Sequence, residues 1–215
     1  MHIRPVSAYP GGVPLKLTLI DRDSTERPAV EAFLRAGYGR AYDASPDAFP
    51  ATLCAVFGAG GTPLSAAGFR EARDGFFSES YLDRPLEAAA SAALGRAVTR
   101  QDFMEVTTLV SASPFALFPL MAGMLALGRD RGLRCGVFTA TGQLRGLFTR
   151  LGIPFVPVAP ARPERIEQPE RWGSYYAMDP WVCLMPNPEA APSALFPRIC
   201  AAPVSDSAEE KNHRG

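Results

Sequence analysis

DFMEVTTLVSASPFALFPLMAGMLALGRDRGLRCGVFTATGQLRGLFTRLG, residues 102–152, decides the fold of this chain. It reads as a strand rich in β-forming residues, a long apolar helix, a second strand and a shorter amphipathic helix. Gly132 and Gly152 stand where helices commonly end. Because a helix between two strands joins them in parallel, we predict that the strands are neighbours in one sheet. A ligand is expected at their carboxyl ends, near residues 109–113 and 138–141.

The rest of the chain predicts one α/β domain over residues 15–186. Short apolar runs predict further strands at 15–20, 51–57, 64–72, 154–160 and 180–185, with helices from residue 29 and within 78–100. The Gly-rich turn 58–63 favours an antiparallel hairpin between two of these strands. Residues 1–14 are predicted to be an irregular lead-in, and residues 187–215 a disordered tail.

Composition argues against several functions. Twenty-two basic residues balance twenty-two acidic ones, so no basic excess indicates a nucleic acid or an anionic membrane as partner. His2 and His213 are the only histidines, and we therefore expect neither a histidine-based metal site nor a Ser-His-Asp triad. Cys54, Cys135 and Cys183 lie in apolar runs and are predicted to be free buried thiols. No metal and no permanently bound cofactor are predicted.

The predicted location is the cytoplasm. The first fourteen residues lack a charged segment followed by an apolar run, so a secretory signal is not expected. The most apolar helix, residues 115–127, is shorter than the roughly 20 residues that cross a bilayer. We therefore predict no transmembrane segment.

The order of strands and helices resembles the GNAT acyltransferases. In that family two parallel strands splay apart, the pantetheine arm of an acyl carrier lies between them, and its phosphates meet the start of the long helix. The resemblance implies a mixed central sheet flanked by helices. It also implies that Leu109, Val110, Ser111 and Ser113 contact the donor, although helix capping would equally explain the serines. The family's usual glycines are missing from this loop.

Four segments of the sequence are similar to the bacterial thermostable hemolysin family. They are SESYLDRPLE (78–87), MEVTTL (104–109), VFTATGQLRGLFTRLGIP (137–154) and RWGSYY (171–176). That family is thought to share its fold with GNAT enzymes and acyl-homoserine-lactone synthases. Gly68-Phe69-Arg70 resembles the Gly-x-Arg of those synthases, but Thr108 and Leu109 stand where their later arginine is expected. Homoserine-lactone synthesis is therefore not predicted.

Glu105 is the first candidate for a catalytic side chain. It lies in a strand otherwise made of apolar residues and threonine, so one face of that strand should be buried. A buried carboxylate has a raised pKa and can accept a proton from an amine nucleophile, directly or through a water. The alternative is a structural ion pair with Arg70 on the neighbouring strand, and the two interpretations are compatible.

Other candidates surround this strand. Thr139 is a candidate contact for the donor, and Arg145 could pair with a phosphate or a substrate carboxylate, although Arg145 could also be a solvated helix charge. The GNAT resemblance implies that Tyr175 or Tyr176 donates a proton to the leaving thiolate, with aromatic packing as the alternative. Related folds shape the acyl or acceptor pocket with residues placed like Arg70, Glu79, Tyr81 and Trp172. Trp172 could also be a hydrophobic anchor.

These features predict an acyltransferase that moves an acyl group from a thioester to the amine of a small acceptor such as an amino acid. The donor would be acyl-CoA or an acyl carrier protein, and a homodimer is left open. The alternative is a non-enzymatic protein on a degenerate GNAT-like fold, either a membrane-active hemolysin or a protein that binds a lipid or partner.

Overall fold

The computed structural model describes residues 15–186 and 204–205 of the 215-residue chain. The strands are β1 Leu17–Ile20, β2 Thr52–Phe57, β3 Pro63–Glu71, β4 Phe103–Ser111, β5 Cys135–Ala140, β6 Val156–Pro160, β7 Trp181–Pro186 and β8 Val204–Ser205. The helices are α1 Arg27–Tyr42, α2 Leu86–Leu94, α3 Pro114–Asp130 and α4 Gly142–Arg150. The predicted lead-in 1–14 and the predicted tail, apart from β8, lie outside the described residues.

One mixed sheet contains every described strand. Its order is β6-β7-β5-β4-β3-β2-β1-β8, and the first four strands of the chain pair antiparallel to one another. β4 and β5 are parallel neighbours, and β7 lies antiparallel between β5 and β6. The parallel pair, the antiparallel hairpin and the GNAT-like fold class predicted from the sequence are thus confirmed.

Helices cover both faces of the sheet because successive strand residues point to opposite sides. On one face, α3 and α4 bury residues such as Met104 and Phe138. On the other face, α1 and α2 bury residues such as Leu53 and Phe103. α3 lies so close to β1 that a Cβ on Gly123 would stand 2.3 Å from the Leu17 Cβ. The three described cysteines are buried and free, as predicted.

The helix predicted within residues 78–100 is only partly right. Its α-helical part is Leu86–Leu94, whereas Phe77–Tyr81 is a 3-10 segment. The physical reason is that the backbone N–H groups of Phe77 and Ser78 donate to the Glu105 carboxylate. An early break in helical structure therefore follows from a distant side chain, which local composition does not reveal.

β4 and β5 separate part of the way along their length. Their pairing runs from Phe103 with Cys135 to Val106 with Phe138 and then stops. Immediately beyond, Thr108 has a φ of 45°, which is unusual for a β-branched residue, and the register with β3 shifts. A Cβ on the facing Gly68 would lie 2.3 Å from the Thr107 Oγ1, so this turn of the backbone needs a glycine opposite it. A wedge-shaped gap results.

Two absences concern the described residues. None of the helices in this part of the chain is long and apolar enough to cross a membrane. Within residues 15–186, no cluster of His, Cys, Asp and Glu side chains could hold a metal ion.

Candidate functional site

A cavity of about 440 Å³ occupies the gap between β4 and β5 and continues under α3 and α4. Its wall is largely aliphatic and aromatic. The residues that line it include Leu109, Phe138, Met121, Leu125, Leu144, Leu147, Met104, Gly128, Leu133, Gly136 and Met185, together with the more polar Tyr42, Thr141, Gln143 and Arg150. This volume and this wall are typical of a site for a small, mostly apolar ligand.

A second, smaller chamber of about 30 Å³ lies on the opposite face of the sheet. Glu105, Ser78 and several aromatic side chains line it. The two spaces share a border, where each is lined by Tyr38, Val106, Thr107, Thr108, Thr139 and Tyr175. That border lies where β4–β5 pairing ends, so the strand gap brings an apolar cavity and a polar chamber together.

Glu105 is completely buried in the wall of this chamber. Its Oε1 accepts hydrogen bonds from the Ser78 backbone N–H at 2.7 Å and the Ser78 hydroxyl at 2.6 Å. Its Oε2 accepts one from the Phe77 backbone N–H at 2.7 Å, and the Arg70 Nε is 3.9 Å away. Burial raises the pKa of Glu105 and is the largest influence, while the hydrogen bonds and Arg70 lower it. Both predicted interpretations of Glu105 are consistent with this geometry.

A short chain of contacts joins Glu105 to the cavity. The Ser78 hydroxyl is 3.3 Å from the Thr139 Oγ1. Because the Ser78 proton is given to Glu105, the Thr139 hydroxyl is the donor in that contact. The Tyr175 hydroxyl donates to the Thr139 carbonyl oxygen at 3.3 Å, and burial raises the pKa of Tyr175 well above its ordinary value. Tyr175 is therefore a neutral hydrogen-bond donor.

The two predicted tyrosines are not equivalent. Tyr175 is buried and lines both spaces, whereas Tyr176 lines neither. The Tyr176 hydroxyl instead shares a 2.7 Å hydrogen bond with the Tyr81 hydroxyl. Trp172 lines the chamber and its ring lies 5.7 Å from that of Tyr175. The structure thus brings Tyr175, Tyr81 and Trp172 to the chamber.

Three predicted charged residues line neither space. Glu79 accepts from the two Arg100 terminal nitrogens at 2.5 and 2.7 Å. Arg145 binds the Asp179 carboxylate at 2.6 Å and also donates to the Ala140 carbonyl oxygen. Arg70 stands behind Glu105 and does not line either space. Arg145 fixes the loop that precedes β7, a role that predictions from its position alone did not include.

The residues predicted at the start of α3 fall into two groups. Leu109 lines the cavity. The Val110 side chain points the other way, against Gly37 of α1, where a Cβ would lie 2.3 Å from it. The Ser113 hydroxyl caps α3 by accepting from the Ala116 N–H, and the Ser111 hydroxyl donates to the Ser113 carbonyl oxygen. The capping alternative therefore describes Ser113, whereas Ser111 stabilises the turn before the helix through its hydrogen bond to Ser113.

Sequence reasoning missed the contribution of α1 and of the threonines. Tyr38 and Tyr42 reach the cavity from α1, and their spacing of four residues places them on one helix face. Thr107 and Thr108 line both spaces, and within the described residues their hydroxyl oxygens are buried without a hydrogen-bond partner. The Tyr38–Tyr42 spacing was a usable signal, whereas the threonines carried none.

Comparison with known proteins identifies both a family and a fold. A family model described as thermostable hemolysin matches residues 20–190. The search of curated proteins found no relative.

Three similar solved structures are acyl-transferring enzymes by their descriptions. A CoA-dependent acyl-homoserine lactone synthase, BjaI, solved with SAM and isopentyl-CoA, is 13% identical, with a TM-score of 0.57 over 90% of this chain and 93% of that chain. FeeM, an N-acyl amino acid synthase from uncultured soil microbes, is 14% identical, with a TM-score of 0.56 over 85% and 99%. The AHL synthase LasI is 10% identical, with a TM-score of 0.55 over 81% and 91%. At such low identity the likeness establishes the fold.

Proposed function

The chain belongs to the thermostable hemolysin family, and we propose that it is an N-acyltransferase that moves an acyl group from a thioester to the amine of a small acceptor such as an amino acid. The observation that carries the proposal is the shared border of the apolar cavity and the polar chamber at the end of β4–β5 pairing. Donor and acceptor could approach one another there from opposite faces of the sheet.

The donor is proposed to lie along the cavity. Its pantetheine arm would enter between α3 and α4 past Leu109, and its thioester would rest beside Val106 and Thr139. The cavity continues beyond that point to Gly136, three residues back along β5, which is about 10 Å at the usual rise of a strand. This apolar extension supports an acyl chain longer than acetyl.

Chemistry is proposed at the border. Beyond Val106, β4 has no strand partner on the β5 side within residues 15–186, and its amides there would hold the carbonyl oxygen of the thioester. Glu105 would accept the proton of the attacking amine, directly or through Ser78 and Thr139. Tyr175 would donate a hydrogen bond to the departing sulfur. Full proton transfer from Tyr175 is unfavourable, because its pKa is raised and a thiol is the stronger acid.

CoA and an acyl carrier protein are both retained as donors. The BjaI likeness supports a thioester donor, because BjaI is described as CoA-dependent and was solved with isopentyl-CoA. The start of α3 offers little to the phosphates of CoA, because Ser113 is used as a cap and Phe115 projects into solvent with 65% of its surface exposed. A comparison of octanoyl-CoA with octanoyl-pantetheine, which lacks the nucleotide, as donors separates the contribution of the pantetheine arm to donor binding from that of the phosphates.

The test is thioester-dependent release of thiol by the purified protein with a panel of amino acids and simple amines, followed by mass spectrometry of the acylated product. Glu105→Gln and Tyr175→Phe are expected to lower the rate, the former by roughly a hundredfold or more. Glu79→Gln is the matched control, because that carboxylate is paired with Arg100 outside both spaces. No acylated product with any amine, from a folded protein, would refute the proposal.

The second candidate is a protein that binds a lipid or membrane without catalysis. The apolar cavity and two exposed apolar side chains, Phe115 and Met178, favour it. Leakage of liposomes by the purified protein in the absence of any acyl donor would support this candidate. Leakage that appears only with donor and amine present would instead indicate a lipid-like product.

A further inference from the structure

Six aromatic side chains form a closed circuit beside Glu105, which we call the aromatic box. Neighbouring ring centroids are 5.5 to 6.5 Å apart all the way round. In order, the members are Tyr38, Trp172, Phe77, Tyr81, Tyr176 and Tyr175. All but Tyr176 line the 30 Å³ chamber. Aromatic rings attract cations through the negative potential of their faces, so a chamber lined by several rings favours a cation over an anion.

The polar groups of the chamber favour the same kind of ligand. Among the described residues that line it, Glu105 is the one carboxylate, and none is a Lys or Arg. The Thr107 and Thr108 hydroxyl oxygens, buried and without a partner in the described part of the chain, can accept hydrogen bonds. Arg70 reaches Glu105 from behind, with its Nε 3.9 Å from the Oε2. The chamber therefore offers acceptors and π faces to a small group that carries several N–H donors.

The size of the chamber limits what can enter. A volume of about 30 Å³ accommodates a group about as large as one or two water molecules. A primary ammonium group has that size, a positive charge and three N–H donors. A carboxylate ligand would be repelled by Glu105, and no basic side chain among the described lining residues would offset that repulsion.

We infer that the aromatic box and Glu105 bind the primary ammonium group of the acyl acceptor, so that acceptors are recognised by their positive charge. Glu105 then takes one proton from the bound ammonium group to give the neutral amine that attacks, and the second proton leaves with the sulfur as the thiol. Identification of the ligand as the acceptor rests on the proposed function; the cation site itself does not. The amino group held there lies next to the border with the donor cavity, because Tyr38, Thr107 and Tyr175 line both spaces.

Binding can be tested without an acyl donor. The chain has two tryptophans, so the indole N–H signals of the ¹⁵N-labelled protein report on Trp172 directly, and Trp181→Phe assigns them. Methylammonium chloride, methanol and sodium acetate are the probes, at constant ionic strength. We expect methylammonium to shift the Trp172 signal saturably, and methanol and acetate to leave it unchanged. Equal shifts with methanol, or no shift with methylammonium, would overturn the inference.

Two neighbouring phenylalanines provide a matched pair of variants. Phe77→Leu removes one face of the aromatic box but keeps the backbone N–H that donates to Glu105. Phe76→Leu alters an equally apolar neighbour that is buried, whereas Phe77 is partly buried, and Phe76 lines neither space. Methylammonium affinity is expected to fall roughly three- to thirtyfold in the first and to stay unchanged in the second. Equal affinities in both variants would remove the role of the box.

The outcome separates this inference from the proposed function. Acyl transfer by a protein that does not bind methylammonium would refute only the cation site. Methylammonium binding by a protein that never transfers an acyl group would refute only the proposed activity.

Discussion

Gly136 lines the cavity, and replacing it should shorten the acyl chain that is proposed to fit there. A Cβ at this position would meet only the Met185 carbonyl oxygen at 3.8 Å and the Met185 Cβ at 3.9 Å, both ordinary contacts. Gly136→Ala and Gly136→Val should therefore fold without displacing the strand. Because Gly136 lines the cavity, their added carbons occupy space proposed for the end of an acyl chain.

The expected magnitude follows from apolar burial. A buried methylene is worth about 0.8 kcal/mol, so excluding two or three of them from the cavity costs a long-chain donor about 2 kcal/mol. This corresponds to roughly a thirtyfold loss of kcat/KM for octanoyl-CoA with Gly136→Val, and a smaller loss with Gly136→Ala. Acetyl-CoA should be unaffected. The same added surface, together with a better strand former, should raise the free energy of unfolding by about 1 kcal/mol.

The assay compares kcat/KM for acetyl and octanoyl donors across wild type, Gly136→Ala and Gly136→Val. Gly39→Ala is the control, since a Cβ there meets only the Ala44 carbonyl oxygen at 3.8 Å and Gly39 is outside the cavity. Equal losses for both donors, or unchanged use of octanoyl-CoA by a stable Gly136→Val protein, would refute an acyl chain beside Gly136.

Three further predictions concern other parts of the site. Tyr175→Phe should lower single-turnover thiol release roughly ten- to a hundredfold, because the departing sulfur loses a hydrogen bond, and Tyr176→Phe should leave it nearly unchanged, because only Tyr175 lines the cavity; equal effects would contradict the assignment. Gly173→Ala should lower the free energy of unfolding, measured by urea denaturation, by about 3 kcal/mol or more, because φ is 51° and a Cβ would lie 2.1 Å from the Tyr42 carbonyl oxygen. Gly75→Ala is the control and should lower it by about 1 kcal/mol, because φ is 70° but a Cβ would meet open space. Burial raises the pKa of Glu105 above its ordinary 4.5. Between these two pKa values the folded state keeps a proton that the unfolded chain has released. The contribution of Glu105 to the free energy of unfolding therefore falls as pH rises from about 4.5 through the folded pKa. Urea denaturation across pH should accordingly show Glu105→Gln gaining stability relative to wild type as pH rises; a relative loss would mean that hydrogen bonds outweigh burial.

The order of the strands and helices could be predicted from local sequence patterns alone. The strand–helix–strand order in residues 102–152 predicted the parallel pair, because both strands, the connecting helix and their apolar patterns lie within this one segment. The burial of Glu105 could also be predicted, since apolar neighbours on both sides define its strand. Its three hydrogen bonds could not, because the donors lie 27 and 28 residues earlier.

The placement of Val110 shows why site details were harder. Regular alternation along a strand would put Leu109 on the face of Glu105 and Val110 on the face of the cavity. The backbone irregularity at Thr108 reverses the alternation, so Leu109 lines the cavity and Val110 packs on α1. Arg145 and Glu79 were uncertain for a different reason. Their ion-pair partners, Asp179 and Arg100, are 34 and 21 residues away, and the sequence alone does not indicate these pairings.

The irregularity at Thr108 also bears on how such a protein can diversify. Separation of β4 from β5 coincides with a turn of the main chain opposite Gly68, and we attribute the gap to this turn. Residues that line the gap, such as Leu109 and Phe138, can therefore be exchanged while the gap persists. Selection could then retune ligand preference position by position on an unchanged scaffold. A library randomised at these two positions, with Gly68 and Thr108 kept constant, is the natural starting point for directed evolution of new acyl specificities.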